Sequence, residues 1–175
     1  TKNLNNVGFL VFDIKAVCYL IAILLASPAF SQSEEARLSK GQLKKMAAAA
    51  ERNNDPETAA IYYEQYLDKK PGDVKVTYQL ANKNRAIGKV DAAKNQYKYV
   101  FEQEKKKYPL AAFYYAEMLV ATGNCKEAIP IYDDFRGDIR GEKDDRKYSR
   151  LAKFAIEGCE MKSDSTISSK MAIKE

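Results

Sequence analysis

"NDPETAAIYYEQYLDKKPGD", residues 54 to 73, reads as a helix whose start and stop are both written into it. Asp55 followed by Pro56 is an N-cap with proline at the first helical position. The carboxylate can accept from first-turn N–H groups, and proline loses nothing where an N–H has no helical partner. Lys70-Pro71-Gly72 closes the segment, because the residue before proline leaves the helical region and glycine frees the chain to turn. Between the two signals, Ala59 and Tyr63 lie four residues apart and therefore on one face.

The same pattern recurs outward at a fixed distance. Laying Lys40 to Asp73 over Val74 to Lys107, and both over Pro109 to Glu142, puts Ala47, Ala81 and Ala116 in one column. Ala59, Ala93 and Ala128 form a second, Tyr63, Tyr97 and Tyr132 a third, and Asn54, Gly88 and Gly123 fall in the turn between. The period is 34 residues, with Tyr108 left over. Apolar residues recur at three- and four-residue spacing on both sides of each turn, so each unit predicts two helices. Asn124 with Glu127 reads as a capping box. Pro130, inside a helix, removes the hydrogen bond to the Lys126 carbonyl and predicts a bend. From about Asp145 to Cys159, Tyr148, Leu151, Ala152 and Ala155 are spaced like the first helix of another unit. That segment predicts a capping helix over residues 145–160, its outer face formed by Arg146, Arg150, Lys153 and Glu157.

These columns resemble the tetratricopeptide repeat family. The matching residues are Leu43, Met46, Ala47, Ala59, Tyr63 and Pro71; then Leu80, Ala81, Gly88, Ala93 and Tyr97; then Ala116, Gly123, Ala128 and Tyr132. The resemblance implies an all-α, right-handed helical solenoid of about three helix pairs with a C-terminal capping helix. Small residues let paired helices approach, and the later aromatic fills the space between them. The sequence departs from the pattern at Tyr115, at Lys105 and at Pro130.

Composition sets the function classes. The chain has 175 residues, 46% of them hydrophobic and 30% charged, with a formal net charge of +5. Basic and acidic residues alternate almost everywhere, which argues against a nucleic-acid stripe. Histidine is absent, so the commonest general base and zinc ligand are missing. No nucleophile, base and orienter can be assembled, and neither an enzyme activity nor a cofactor is expected in these residues.

The first 31 residues read differently. "AVCYLIAILLA" (16 to 26) after Lys15 has the length of a secretory h-region and is too short to span a bilayer. Ala29 and Ser31 occupy the small-residue places of a cleavage site, so residues 1–31 are expected to be a signal peptide and residues 32–160 an exported domain. An uncleaved anchor would have to carry Asp13 and Lys15 inside the span. Residues 161–175 are polar and are expected to be a linker or the start of a following domain of a longer protein.

The resemblance places binding on the concave surface made by the first helices. The outward positions there are Lys44, Ala48, Tyr78, Asn82, Arg85, Phe113 and Glu117. Of these, Lys44, Tyr78, Asn82, Arg85, Phe113 and Glu117 are the candidate partner-binding residues, and Tyr78 with Phe113 is the candidate aromatic anchor. The family's carboxylate-gripping set would fall on Lys44, Ala48, Gln79, Leu110 and Tyr114, of which only Lys44 matches. The expected partner is a protein or peptide, and no nucleic acid. The arrangement of leader, repeats and polar run is similar to the N-terminal part of Bacteroidota envelope proteins that continue into a β-propeller and an OmpA-like domain, some serving gliding or type IX secretion. It implies a periplasmic, outer-membrane-associated scaffold; the alternative is an accessory domain of an envelope enzyme whose catalytic part lies beyond residue 175. In an oxidising compartment the two cysteines of the exported domain, Cys125 and Cys159, are expected to pair. A tetratricopeptide stack brings the start of one cysteine's helix near the end of the other's. The competing expectation is two small buried residues.

Overall fold

The computed structural model describes residues 38–142 and 144–172, with side chains described through Ser163. The expected signal peptide lies outside the described residues. From Lys40 onward there are seven described helices: α1 (Lys40–Arg52), α2 (Pro56–Lys69), α3 (Val74–Ala86), α4 (Val90–Glu104), α5 (Leu110–Ala121), α6 (Cys125–Asp138) and α7 (Asp145–Ala172). Each packs on its neighbour in sequence, and α5 packs also on α7. That last contact skips one helix, as the first helices of successive solenoid units do. Among the described residues no helix is long and apolar enough to cross a membrane.

The turns repeat at atomic detail. Asn54, Gly88 and Gly123 take φ of 55°, 75° and 81°. In each, the left-handed residue donates to the carbonyl three back: Glu51 at 3.0 Å, Arg85 at 3.2 Å and Val120 at 3.0 Å. The following residue donates to the carbonyl five back: Ala50, Asn84 and Leu119 at 3.0, 2.8 and 2.8 Å. This is the Schellman closure, and it satisfies carbonyls that the ending helix would leave orphaned. A side chain with a β-carbon pays a steric penalty at such φ, which asparagine tolerates better than most.

The three sequence columns are the core. Ala47, Ala81, Ala116, Ala59, Ala93 and Ala128 are all 0% exposed, and Tyr63, Tyr97 and Tyr132 no more than 2%. Ala152 on α7 is 0% exposed too. Asp55 caps α2 as expected, accepting from the Thr58 amide at 2.9 Å, and Asp73 caps α3 through Val76 at 3.2 Å.

Several local expectations differ from the structure. Asn124 makes no side-chain cap on α6; its amide donates to the Thr122 hydroxyl instead. Glu127 accepts from the Tyr115 hydroxyl at 2.9 Å, so the capping box is absent because a core tyrosine has claimed its acid. The helix α6 continues through Pro130. Pro130 and Lys126 are both exposed, so the carbonyl that loses its bond lies where water can replace the donor. The last helix runs beyond the expected end at residue 160 to Ala172, taking in most of the run expected to be a linker or the start of a following domain. Its outer face is also less polar than expected: Leu151, Phe154 and Met161 are exposed there.

Cys125, the first residue of α6, is bonded to Cys159 on α7 with Cα atoms 5.4 Å apart. The two lie 34 residues apart in sequence. On the chain-entropy model, closing such a loop stabilises the folded end by about 3 to 4 kcal/mol.

Candidate functional site

The first helices α1, α3, α5 and α7 present one face of the array, and their side chains meet across it. At the α1 end, the Lys44 ammonium lies 4.5 Å from the Tyr66 ring centre and 3.6 Å from the Asp73 carboxylate. The Tyr66 hydroxyl donates to that carboxylate at 2.9 Å, and Lys70 at 3.2 Å. Burial by itself would raise the Asp73 pKa. The bonds from Tyr66, Lys70 and the Val76 amide, with the charge of Lys44, outweigh it and hold the group at about 2. Further along, Lys83 on α3 reaches Glu51 on α1 at 2.9 Å.

The middle of the face is a tyrosine cluster around Arg85. Its Nε donates to the Tyr97 hydroxyl at 3.3 Å, its Nη1 lies 3.6 Å from Glu117, and its guanidinium carbon stands 4.1 Å over the Tyr114 ring. The Tyr97 hydroxyl in turn donates to Asn82 Oδ1 at 2.7 Å. The rings form a chain: Tyr108 to Tyr78 at 4.9 Å, Tyr78 to Tyr97 at 6.0 Å, Tyr97 to Tyr114 at 5.3 Å. Tyr114 and Tyr148 bring their hydroxyls to 3.2 Å. Burial pushes the hydroxyls of Tyr78, Tyr97, Tyr114 and Tyr132 up from their ordinary value, so they remain neutral at physiological pH. Burial also raises the Glu117 carboxyl, against the opposing pull of Arg85.

Five of the six expected residues, Lys44, Tyr78, Asn82, Arg85 and Glu117, lie on this face with part of their surface exposed. Phe113 does not serve as an exposed anchor. It is 5% exposed, ringed by Tyr114, Tyr132, Phe135 and Tyr148 with ring centres 5.2 to 5.5 Å away. The physical reason is the neighbour: α7 lays Tyr148 over the position that a wider groove would leave open. The aromatic partner of Tyr78 at the surface is Tyr108, the residue left over from the 34-residue period.

Sequence reasoning missed Asp73, Tyr66, Tyr108 and the Tyr114–Tyr148 pair as members of this face. One signal was available. Tyr114 and Tyr148 are 34 residues apart, one repeat length, so they occupy equivalent places on successive first helices.

Chemically, this face offers stacking surfaces and neutral hydroxyls. Its charges Lys44, Lys83 and Arg85 are each paired with an acid from another segment. Among the described residues no three His, Cys, Asp or Glu side chains gather to hold a metal ion.

No protein-family model matches the sequence, and no curated protein matches it. Solved structures do match in shape. The Yersinia enterocolitica type III secretion chaperone SycD, in complex with a peptide of the translocator YopD, is similar with a TM-score of 0.60 at 21% identity, over 70% of this chain and 93% of that one. A type III secretion complex from Aeromonas hydrophila gives 0.60 at 16% identity, covering 86% and 97%. The MamA protein gives 0.56 at 16% identity, covering 69% and 67%. At such identities the likeness concerns the fold alone, and with the repeat geometry above it establishes that the chain is an all-α, tetratricopeptide-type right-handed helical solenoid.

Proposed function

We propose that this array is a non-enzymatic protein-interaction scaffold of the bacterial cell envelope, which holds an extended peptide segment of a partner protein against its inner face. The observation that carries the reading is the tyrosine chain Tyr108–Tyr78–Tyr97–Tyr114 around Arg85. Tyr108, Tyr78 and Tyr114, half-buried around the fully buried Tyr97, offer stacking area at low entropic cost, and tyrosine hydroxyls can bond to a peptide backbone. Because the charges of the face are already paired, recognition would rest on ring contacts and neutral hydrogen bonds more than on net charge. The SycD structure, a likeness in fold, was solved with a peptide bound, which supports a peptide as the class of partner. The expected signal peptide and the Cys125–Cys159 bridge support an oxidising compartment. An adaptor role in an outer-membrane-associated OmpA-like or type IX secretion protein is the finer form of the proposal.

The test is site-specific photocrosslinking in the native host, with the probe at position 78 or 82 on the inner face, or at exposed position 61 on α2. A discrete partner band from 78 and 82, absent from 61 and lost on Arg85→Ala, is expected. Equal labelling from all three positions would overturn the inner-face reading. Cell fractionation that left the protein in the cytoplasm with residues 1–31 attached would overturn the envelope location.

A further inference from the structure

The last helix carries an apolar stripe that no other described residue covers. Leu151, Phe154 and Met161 are 43%, 58% and 67% exposed, whereas Ala152, Ile156 and Cys159, on the opposite side of the same turns, are buried. At 100° per residue, Leu151, Phe154, Gly158 and Met161 fall within one narrow sector of α7. Gly158 is the informative member. A mid-helix glycine destabilises relative to alanine, and here no close packing among the described residues requires it, because a β-carbon built there would meet none of their atoms within 4 Å. It is an open notch in an exposed apolar stripe, and the shape suits a second helix approaching closely.

We infer that the occupant is a second copy of this chain, its α7 packed antiparallel across the stripe about a twofold axis beside Phe154. The charges bordering the stripe favour this partner. Along one edge of the stripe Arg150 is followed seven residues later by Glu157, so an antiparallel copy sets opposite signs against each other there, where a parallel copy would set like against like. The register is consistent throughout. With Phe154 against Phe154, Leu151 of each copy comes within one residue of the Gly158 notch of the other, and Arg150 within one residue of Glu157. The stem of Lys147 then lies over Met161. Arg150 stands in no ion pair among the described residues, and Glu157 holds only a 3.7 Å contact to Lys153 of its own helix. Such an isologous contact satisfies both at once. A single helix pair is at the small end of stable interfaces, so dissociation on the order of 10 µM is expected.

This inference uses the outer face of α7 and is independent of the inner-face reading. Sedimentation velocity of the full chain across a concentration series tests it, with every variant sharing the same residues 1–31. The wild type is expected to shift reversibly from monomer to dimer. F154E, at an exposed position, should weaken the dimer by roughly 30-fold or more while circular dichroism and melting stay unchanged. R150E and E157R should each weaken it by about 3- to 10-fold, and the double variant R150E/E157R should recover most of the loss, since the reversed pair meets again across the axis. A wild type that stays monomeric up to about 200 µM, well above the expected dissociation constant, would overturn the proposal. So would a dimer indifferent to F154E, or a double variant as weak as the sum of its parts.

Discussion

Lys44 in the first unit and Phe113 in the third hold the same repeat position, yet they live in different media. Lys44 keeps 42% of its side chain exposed, lies over Tyr66 and pairs with Asp73. Phe113 is almost wholly enclosed by four aromatic rings. The difference arises one helix away. Beyond Lys44, Asp73 at the cap of α3 contributes an acid and leaves the face open; beyond Phe113, α7 contributes Tyr148 and closes it. A position in a repeat array is thus inner surface or core according to what the next unit brings.

Truncating the two residues separates them most sharply. Phe113→Ala should cost about 3 to 5 kcal/mol in denaturant unfolding, as expected for deleting a buried aromatic side chain. Lys44→Ala should cost less than about 1 kcal/mol, because an exposed ion pair contributes little. Comparable losses would dissolve the contrast.

The Cys125–Cys159 bridge is next in size, since it ties α7, and with it Tyr148, to the third unit. Replacing both cysteines with serine should cost about 3 to 4 kcal/mol. Amide exchange should accelerate first in α7 and α6, and least in α1 and α2, because stability in a solenoid is propagated between neighbours. Uniform acceleration would mean that the array unfolds as one unit.

The first unit has its own sensitivity, to acid. The folded Asp73 pKa is about 2, below its ordinary 3.8. The unfolded chain therefore binds a proton before the folded one does, and stability is lost as pH falls from about 4 through 2. It is fully present above that window. The loss should reach about 2 kcal/mol for this group. In Asp73→Asn, which keeps an acceptor for the α3 cap, the acid limb of the stability curve should flatten by that amount. An unchanged limb would assign the acid loss to other carboxylates.

A smaller effect probes the turns that both regions share. Gly123→Ala places a β-carbon at φ of 81° with nothing crowding it, so the cost should be the backbone penalty alone, about 1 to 2 kcal/mol. Asn54→Gly, at the equivalent turn, should be neutral or slightly stabilising. A cost at position 54 would show that its side chain does more than tolerate the turn.

What could be read from the sequence was what depends on residues close together in the chain. The Asp55-Pro56 start and the Lys70-Pro71-Gly72 stop mark one helix, and the alanine and tyrosine columns define the packed pair. The left-handed turns follow from Asn54, Gly88 and Gly123. The period then multiplies one unit into an array, because each unit needs a neighbour to cover its apolar face. The tertiary structure alone decided how that cover is distributed. Tyr148 encloses Phe113, Tyr108 escapes the period to stack on Tyr78, Tyr115 takes Glu127 from the expected cap, and Leu151 with Phe154 turns outward on a helix face that no other described helix covers. Those outcomes depend on which helix lies alongside, tens of residues away in sequence. Spacing along a single helix assigns residues to faces, but whether a face is wet or dry is settled by what packs against it.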